Sequence, residues 1–280
     1  MLYRDLTTLE EFAAVVELER RIWGPGYNEV VPVPILAVTV RRGGILIGAF
    51  DRVSEREASA ERLVGFVYSF AGLKDGKPMQ WSHMLGVIPE LRNDGIGRRL
   101  KALQRERAIA LGLDLIEWTF DPMQALNAHL NLTKLGVVVD EYEENVYGES
   151  QSPLHRGNPT DRFVAAWHIR EPHVQRRLSA GALAVRTHEV TEAPRVNRAR
   201  PLGDFHQCAD VNFGVDGRRV MVEIPTGFTD MLARAPELAL SWRMATRQIF
   251  TTYFSRGYKA VDFLLDRPGR VGAYLLVSAE

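Results

Sequence analysis

The chain has 280 residues, with 35 Lys plus Arg balanced by 35 Asp plus Glu, and a single cysteine, Cys208. A net charge of zero argues against nucleic acid or an anionic membrane as the main partner, and one cysteine excludes an intramolecular disulfide and a cysteine-rich metal site. The composition is that of an ordinary globular chain of one or two domains. With no apolar run of membrane-spanning length and no apolar signal core behind Met1, a cytoplasmic protein is expected.

Residues 2–6 read as a short strand. Thr8-Leu9-Glu10-Glu11 reads as a capping box opening a helix to about Ile22, ended by Trp23-Gly24-Pro25-Gly26-Tyr27. Residues 34–40 start a second helix closed at Gly43-Gly44. Strands over 45–50 and 63–73 flank a charged loop, 51–62, and a further strand runs over 81–87. A helix then runs to about Gly112, followed by a strand over 115–120 stopped by Asp121-Pro122. A helix over 125–135 stops at Gly136, and strands over 137–147 and 163–167 follow. Beyond Arg170 the pattern changes. The Arg- and Pro-rich stretch 194–202 reads as a linker, then come a strand over 219–224, helices over 228–234 and 236–255, and strands over 258–265 and 271–277.

The stretch 85–100 is the most informative. An apolar run ends at Pro89, a polar turn carries Arg92, Gly95 and Gly97, and an amphipathic helix starts at once. Strand, glycine turn and helix in that order build an anion site from backbone N–H groups. In the helix, Ile96, Leu100 and Leu103 recur at helical spacing, and Arg98, Arg99, Lys101, Arg105 and Arg107 take the other face. Cations in a first helical turn oppose the helix dipole by ~0.3–1 kcal/mol each, so this turn is locally misplaced unless an anion sits among them. A solvated basic face is the alternative. The turn is not a P-loop, since no Gly-Lys-Ser/Thr follows. It is not the dinucleotide fingerprint, since Leu100 stands at the third glycine.

Arg92-x-x-Gly95-x-Gly97, directly after Leu85-Gly86-Val87 and Pro89, resembles the acyl-coenzyme A motif of the GNAT superfamily of N-acyltransferases. The element order over residues 1–170 resembles that fold too. The resemblance implies an α/β (α+β) chain: a mixed, mostly antiparallel sheet flanked by helices over 1–170, with 171–280 as an accessory domain or a degenerate GNAT-like half. It implies acetyl-CoA or another acyl-CoA, such as succinyl-CoA, as cosubstrate, and no metal. The backbone of Leu85, Gly86 and Val87 would pair with the pantetheine arm. The turn Arg92, Asn93, Asp94, Gly95, Ile96, Gly97 and Arg98 would hold the pyrophosphate. Asn127 and Asn131, one helical turn apart on a common face, would lie near the cofactor, Asn131 being the better candidate.

Amine acylation needs a base with a pKa near working pH, and histidine is the natural candidate. His83 lies on the motif strand, where period-two alternation puts it on the face of Leu85 and Val87. The alternative is an ordinary sheet histidine. Asp121, just past a strand end, is the second candidate, and Glu117, mid-strand, a third. Many GNAT members carry Tyr-x-Lys-x-Gly with the tyrosine as general acid. Here the text is Leu132-Thr133-Lys134-Leu135-Gly136, so Tyr147 or Tyr142 must substitute, or the thiolate leaves unprotonated. Arg162 could bind an acceptor carboxylate, with an ion pair to Asp161 as the plainer reading. His155, Thr160 and Asp161 lie with Arg162 around the last strand of that fold, and His129, His168, His173, His188 and His206 show no ligand spacing with each other.

These features point to N-acylation of a small-molecule amine, such as an amino acid, by direct attack in a ternary complex. A homodimer is compatible with the chain. A non-catalytic acyl-CoA sensor or scaffold is the rival, motivated by Leu132, and a nucleotide-phosphate site is a third reading.

Overall fold

The computed structural model describes residues 1–24, 27, 29–52, 61–148, 157–179 and 192–278. It separates into a unit of Met1–Trp118 with His168–Arg170, and a second of Thr119–Trp167 with Glu171–Glu280. Residues 119–167 group with the C-terminal part because their partners are there: Ala260 pairs with Val139, and Thr133 Oγ1 donates to the Phe263 carbonyl at 2.7 Å.

In the first unit, strands β1 (Leu2–Asp5), β2 (Ile45–Arg52), β3 (Glu61–Lys74), β4 (Lys77–Val87) and β5 (Leu115–Phe120, the last two residues counted with the second unit) lie in that order. The first four pair antiparallel. β4 and β5 are parallel, a geometry that needs a crossover, supplied by α3 (Ile96–Ala110). Helix α1 (Leu9–Trp23) opens on the expected capping box, with Thr8 Oγ1 accepting the Glu11 N–H at 3.3 Å and Glu11 Oε2 accepting the Thr8 N–H at 3.0 Å. Helix α2 is Val33–Arg41. Trp23 meets Phe66 edge-on and Thr39 Oγ1 lies 2.7 Å from the Tyr68 hydroxyl, so α1 and α2 cover the face of Phe66 and Tyr68. The opposite face belongs to α3, where Lys101 and Gln104 reach Ser82.

In the second unit the main strands run in the order β7 (Arg162–His168, the last residue counted with the first unit), β6 (Val138–Glu143), β11 (Tyr258–Asp266), β12 (Val271–Ser278), β10 (Arg219–Pro225). The helices are α4 (Ala125–Ala128), continued by a π-helical segment His129–Leu135, then α5 (Pro172–Ser179), α6 (Phe228–Arg234) and α7 (Pro236–Ser255). The expected linker at 194–202 is partly structured: β8 (Arg198–Leu202) pairs antiparallel with β9 (Phe205–Ala209). Pro201 did not preclude this, because the ribbon has two strands only and each is an edge.

Phe163, Phe250 and Tyr274 pack mutually edge-to-face with centroids 4.7–5.4 Å apart. Beside them Arg243 and Asp121, both buried, form a bidentate pair at 2.7 and 2.8 Å. Burial alone would raise the Asp121 carboxyl, but the Arg243 charge and hydrogen bonds, with the Met123 N–H, outweigh it and hold the pKa below 3.8. Arg243→Ala leaves that carboxylate buried without its cation, so a loss of about 3–5 kcal/mol is expected in urea unfolding. The double variant Asp121→Leu, Arg243→Met should recover most of it, because breaking such a pair costs more than replacing it.

Candidate functional site

Strand β4 leads into the glycine turn as the sequence implies. After Val87 come a 3-10 turn, Pro89–Leu91, then Asn93 and Gly95 with φ of 73° and 82°, and α3. Gly95 is the N-cap and offers no side chain to cap the helix. The first α3 bond is Arg99 N–H to the Gly95 carbonyl at 3.0 Å, so the Ile96, Gly97 and Arg98 N–H groups lie ahead of the helical ladder. No acidic side chain stands in the first turn. Arg92 Nε donates back to the Val87 carbonyl at 3.2 Å, fixing the turn against the strand end. Gly95 needs its left-handed φ. Gly97 does not: a Cβ there would meet Leu85 Cδ2 at an ordinary 3.6 Å. Within the protein alone Gly97 has no steric reason to be glycine, whereas a ligand lying against the turn would supply one.

The β4–β5 ladder consists of Gln80↔Ile116 and Trp81↔Glu117, although β4 runs on to Val87. Over Ser82–Val87 the strand therefore has β3 on one side and no β5 ladder on the other among the described residues. That edge includes Leu85, Gly86 and Val87, the residues expected to meet a pantetheine arm.

His83 is displaced from the expected face. Tyr68 pairs with Met84 and Ser69 with Ser82, so His83 is the extra residue of a β-bulge. The bulge shifts the alternation. Leu85 and Val87 lie on the α3 face, Leu85 beside Gly97 and Val87 beside Gly65 and Ile96. His83 instead lies with Tyr68 and Phe70, centroids 6.0 and 5.7 Å away, on the α1/α2 face. It is an exposed residue, yet desolvation of the ring beside these aromatics pulls its pKa below 6.5 and favours the neutral imidazole.

Two buried ionisable groups of the same unit were missed by sequence reasoning. Lys101, expected on the basic face, is 2% exposed. Its Nζ donates to Ser82 Oγ at 2.7 Å and Gln104 Oε1 at 3.1 Å and lies 3.5 Å from the centroid of the Trp118 ring. Burial carries its pKa well below 10.5. Glu19, on α1, is fully buried, and burial raises its pKa to about 7 against the opposing Val31 N–H and Arg20 charge. The sequence did hold a signal, since Glu19 occupies the next slot of the apolar stripe Phe12, Val15, Val16.

The other candidates belong to the second unit. Asp121 is held by Arg243 and has no oxygen free of a strong partner, which removes it as a base. The Tyr142 hydroxyl donates to Asp161 Oδ2 at 2.6 Å, and burial with that carboxylate pushes its pKa far up. Tyr147 is exposed, its hydroxyl 3.1 Å from Thr119 Oγ1. Asn127 and Asn131 do not share a face: Asn127 is exposed and Asn131 buried, because the π-helical turn widens the spacing between them. The plain reading of Asp161 named the wrong cation. Its partner is Arg247, at 2.7 and 2.9 Å, while Arg162 lies over the Tyr147 ring. Glu117 pairs with Lys74 at 3.5 Å. His155 lies outside the described residues. Among the described residues no cluster of His, Cys, Asp and Glu could hold a metal ion.

No family model and no curated protein matches the chain. Among solved structures it is similar to an acetyltransferase of the GNAT family from Streptococcus pneumoniae, 16% identical over 59% of this chain and 97% of that one, TM-score 0.46. It is also similar to the ribosomal-protein-S18-alanine N-acetyltransferase from Escherichia coli, 14% identical over 60% and 93%, TM-score 0.45. A third is an aminoglycoside 6'-acetyltransferase, 18% identical over 60% and 97%, TM-score 0.42.

The Glu19 environment predicts a pH-dependent stability difference. The folded pKa, about 7, exceeds the ordinary 4.5, so the native state binds the proton more tightly. Wild-type stability therefore falls as pH rises from about 4.5 to 7 and levels off above. Gln cannot ionise, and its amide oxygen can still accept the Val31 N–H. Chemical unfolding at pH 5 and pH 8 should show Glu19→Gln gaining up to about 3 kcal/mol on the wild type over that interval.

Proposed function

We propose that this chain is an acyl-CoA-dependent N-acyltransferase that moves an acetyl or succinyl group to a small-molecule amine by direct attack. The observation that supports it is the course of β4. Its ladder with β5 ends at Trp81, it bulges at His83, and it runs into an uncapped glycine turn. The free strand edge suits an amide-bearing arm, and the N–H cluster with Gly97 suits a pyrophosphate. When bound, acyl-CoA supplies an electrophilic thioester and a thiolate leaving group.

The residues of the chain divide the remaining work. The turn N–H groups, with Arg98 and Arg99 alongside, bind and orient the anion. A β4 backbone N–H along the free edge donates to the oxyanion that develops on the carbonyl oxygen. Neutral His83 removes the proton that the amine nitrogen sheds as the C–N bond forms. No acid need act on the sulfur, because a thiol of pKa ~8.5 is a tolerable leaving group near neutral pH. This fits Leu132 at the usual tyrosine position and the Tyr142 hydroxyl committed to Asp161. Leu132 also favours the second reading, a CoA-binding protein without turnover.

Calorimetric titration with acetyl-CoA and succinyl-CoA should show micromolar binding of at least one, and binding of neither would remove the proposal. Thiol release with a panel of amines and amino acids then tests turnover. His83→Ala should lower kcat by about 10²–10⁴-fold with the acetyl-CoA Kd within twofold, and the wild-type kcat should rise with pH to a plateau with its midpoint below 6.5. A second variant separates ligand from fold. Gly97→Ala should stabilise the free protein by about 0.5–1 kcal/mol in urea unfolding, yet weaken acetyl-CoA binding. Gly95→Ala should destabilise it by roughly 1–2 kcal/mol.

A further inference from the structure

The α1/α2 face of β3 and β4 carries polar groups that acyl transfer alone leaves unused. Glu19 Oε2 accepts the Val31 N–H at 2.9 Å, while Oε1 is buried with no hydrogen-bond partner. The Tyr68 hydroxyl lies 2.7 Å from Thr39 Oγ1, and Thr39 directs its own proton to the Ile35 carbonyl at 2.7 Å. Tyr68 is therefore the donor in that contact, and its phenol oxygen keeps lone pairs to offer. Among the described residues this face thus holds one buried acceptor without a donor, Glu19 Oε1, and one phenol oxygen with lone pairs to spare. Around them lie rings. Trp23 stacks on Tyr27 at 5.3 Å and meets Phe66 edge-on at 6.1 Å, and Tyr68 and Phe70 flank His83. Exposure grades from His83 at the surface, through half-buried Thr39 and Phe70, to buried Tyr68 and Glu19.

We propose that this face is the acceptor subsite and receives the amine as a primary ammonium on an apolar or aromatic carbon frame. Its N–H groups donate to Glu19 Oε1 and the Tyr68 oxygen, and its frame lies along the rings. Before attack ionised Glu19 takes one proton from the ammonium, so that the nitrogen has a lone pair for the thioester carbon, and His83 takes the second as the C–N bond forms. The inference rests on the acyl-transfer reading. An ammonium brings three donors and one positive charge, matching a buried carboxylate oxygen that lacks a donor and a phenol oxygen with spare lone pairs, and aromatic faces attract the same cation. A neutral hydroxyl brings a single donor and no charge.

The charged and titratable groups that act on Glu19 are Arg20 beside it on α1 and Tyr68 on β3; His83 on β4 lies against the Tyr68 ring, and α2 carries its charge at Arg41 in its last turn. Burial, augmented by the Glu19 charge, keeps Tyr68 protonated. Glu19, near 7, gains its negative charge between pH 6 and pH 8, while an alkylamine stays protonated. His83 adds positive charge only toward the acid end, which weakens ammonium binding in the same direction.

The test uses the full chain loaded with CoA, which cannot turn over, titrated calorimetrically with 2-phenylethylamine and with 2-phenylethanol. The amine should bind at least tenfold more tightly than the alcohol at pH 8, and its affinity should fall about tenfold on going to pH 6. Glu19→Gln should abolish both differences while leaving the CoA Kd unchanged. Equal affinities for amine and alcohol, or an amine affinity that ignores pH and the Gln substitution, would overturn the proposal. If the variant does not fold, the wild-type pH series and the amine-to-alcohol ratio decide alone. Loss of CoA binding with the amine preference intact would sink the acyl-transfer reading and not the ammonium site. CoA binding without amine preference would sink the ammonium site only.

Discussion

One extra residue in β4 organises the first unit. Because His83 has no partner on β3, the strand changes which side chains face which layer at that point. Before the bulge, Ser82 faces α3; after it, Leu85 and Val87 do; at it, His83 joins Tyr68 and Phe70 beneath α1 and α2. A bulge bends and twists its strand, and this is where β4 ceases to pair with its parallel neighbour. The free backbone edge and the presented imidazole are thus two consequences of one irregularity. A regular strand would have placed His83 with Leu85 and closed the edge.

The second unit shows where carboxylates are unavailable for chemistry. Asp121 is neutralised by Arg243 and Asp161 by Arg247 and Tyr142. Both carboxylates accept several charge-assisted hydrogen bonds, and at Asp121 these outweigh burial and lower its basicity. Glu19 is the contrasting case: equally buried, it has one backbone donor and no paired cation, so desolvation dominates and its pKa rises instead of falling. Asp121 and Glu19 diverge because of what surrounds them, and proximity to a strand end, which nominated Asp121, says nothing about that.

Local chemistry was legible. The capping box at Thr8, the strand–turn–helix around Gly95 and the helices at Phe228–Arg234 and Pro236–Ser255 were all readable, because each depends on neighbours in sequence. What escaped depends on distant partners. The bulge is a mismatch between β3 and β4 with no marker in either text. The β8–β9 ribbon hid in an Arg- and Pro-rich stretch because two edge strands tolerate proline. The π-helical segment moved Asn131 off the face of Asn127, since helical spacing was read as 3.6 throughout. Lys101 was counted with the arginines on charge, although Gly97, Lys101, Gln104 and Ala108 form their own helical stripe toward the sheet.

That stripe bears on how the turn and the bulge hold their relation. Lys101 has no carboxylate among its hydrogen-bond partners; its Nζ meets Ser82, Gln104 and the Trp118 ring. A full charge buried so would cost several kcal/mol, and desolvation moves the equilibrium toward the neutral amine, whose two N–H groups match the two oxygen acceptors found. Gln104 completes the set by donating to Ser82 at 3.1 Å. Ser82 is the residue before the bulge, and Lys101 lies in the second turn past the glycine N-cap. The cluster therefore joins the start of α3 to β4 at the point where the strand changes face. A leucine at 101 would fill similar volume without that directional tie, leaving the α3 N-terminus free to slide along β4. Buried polar groups here fix position more than they add stability, and a site that must span from turn to bulge depends on that fixed length.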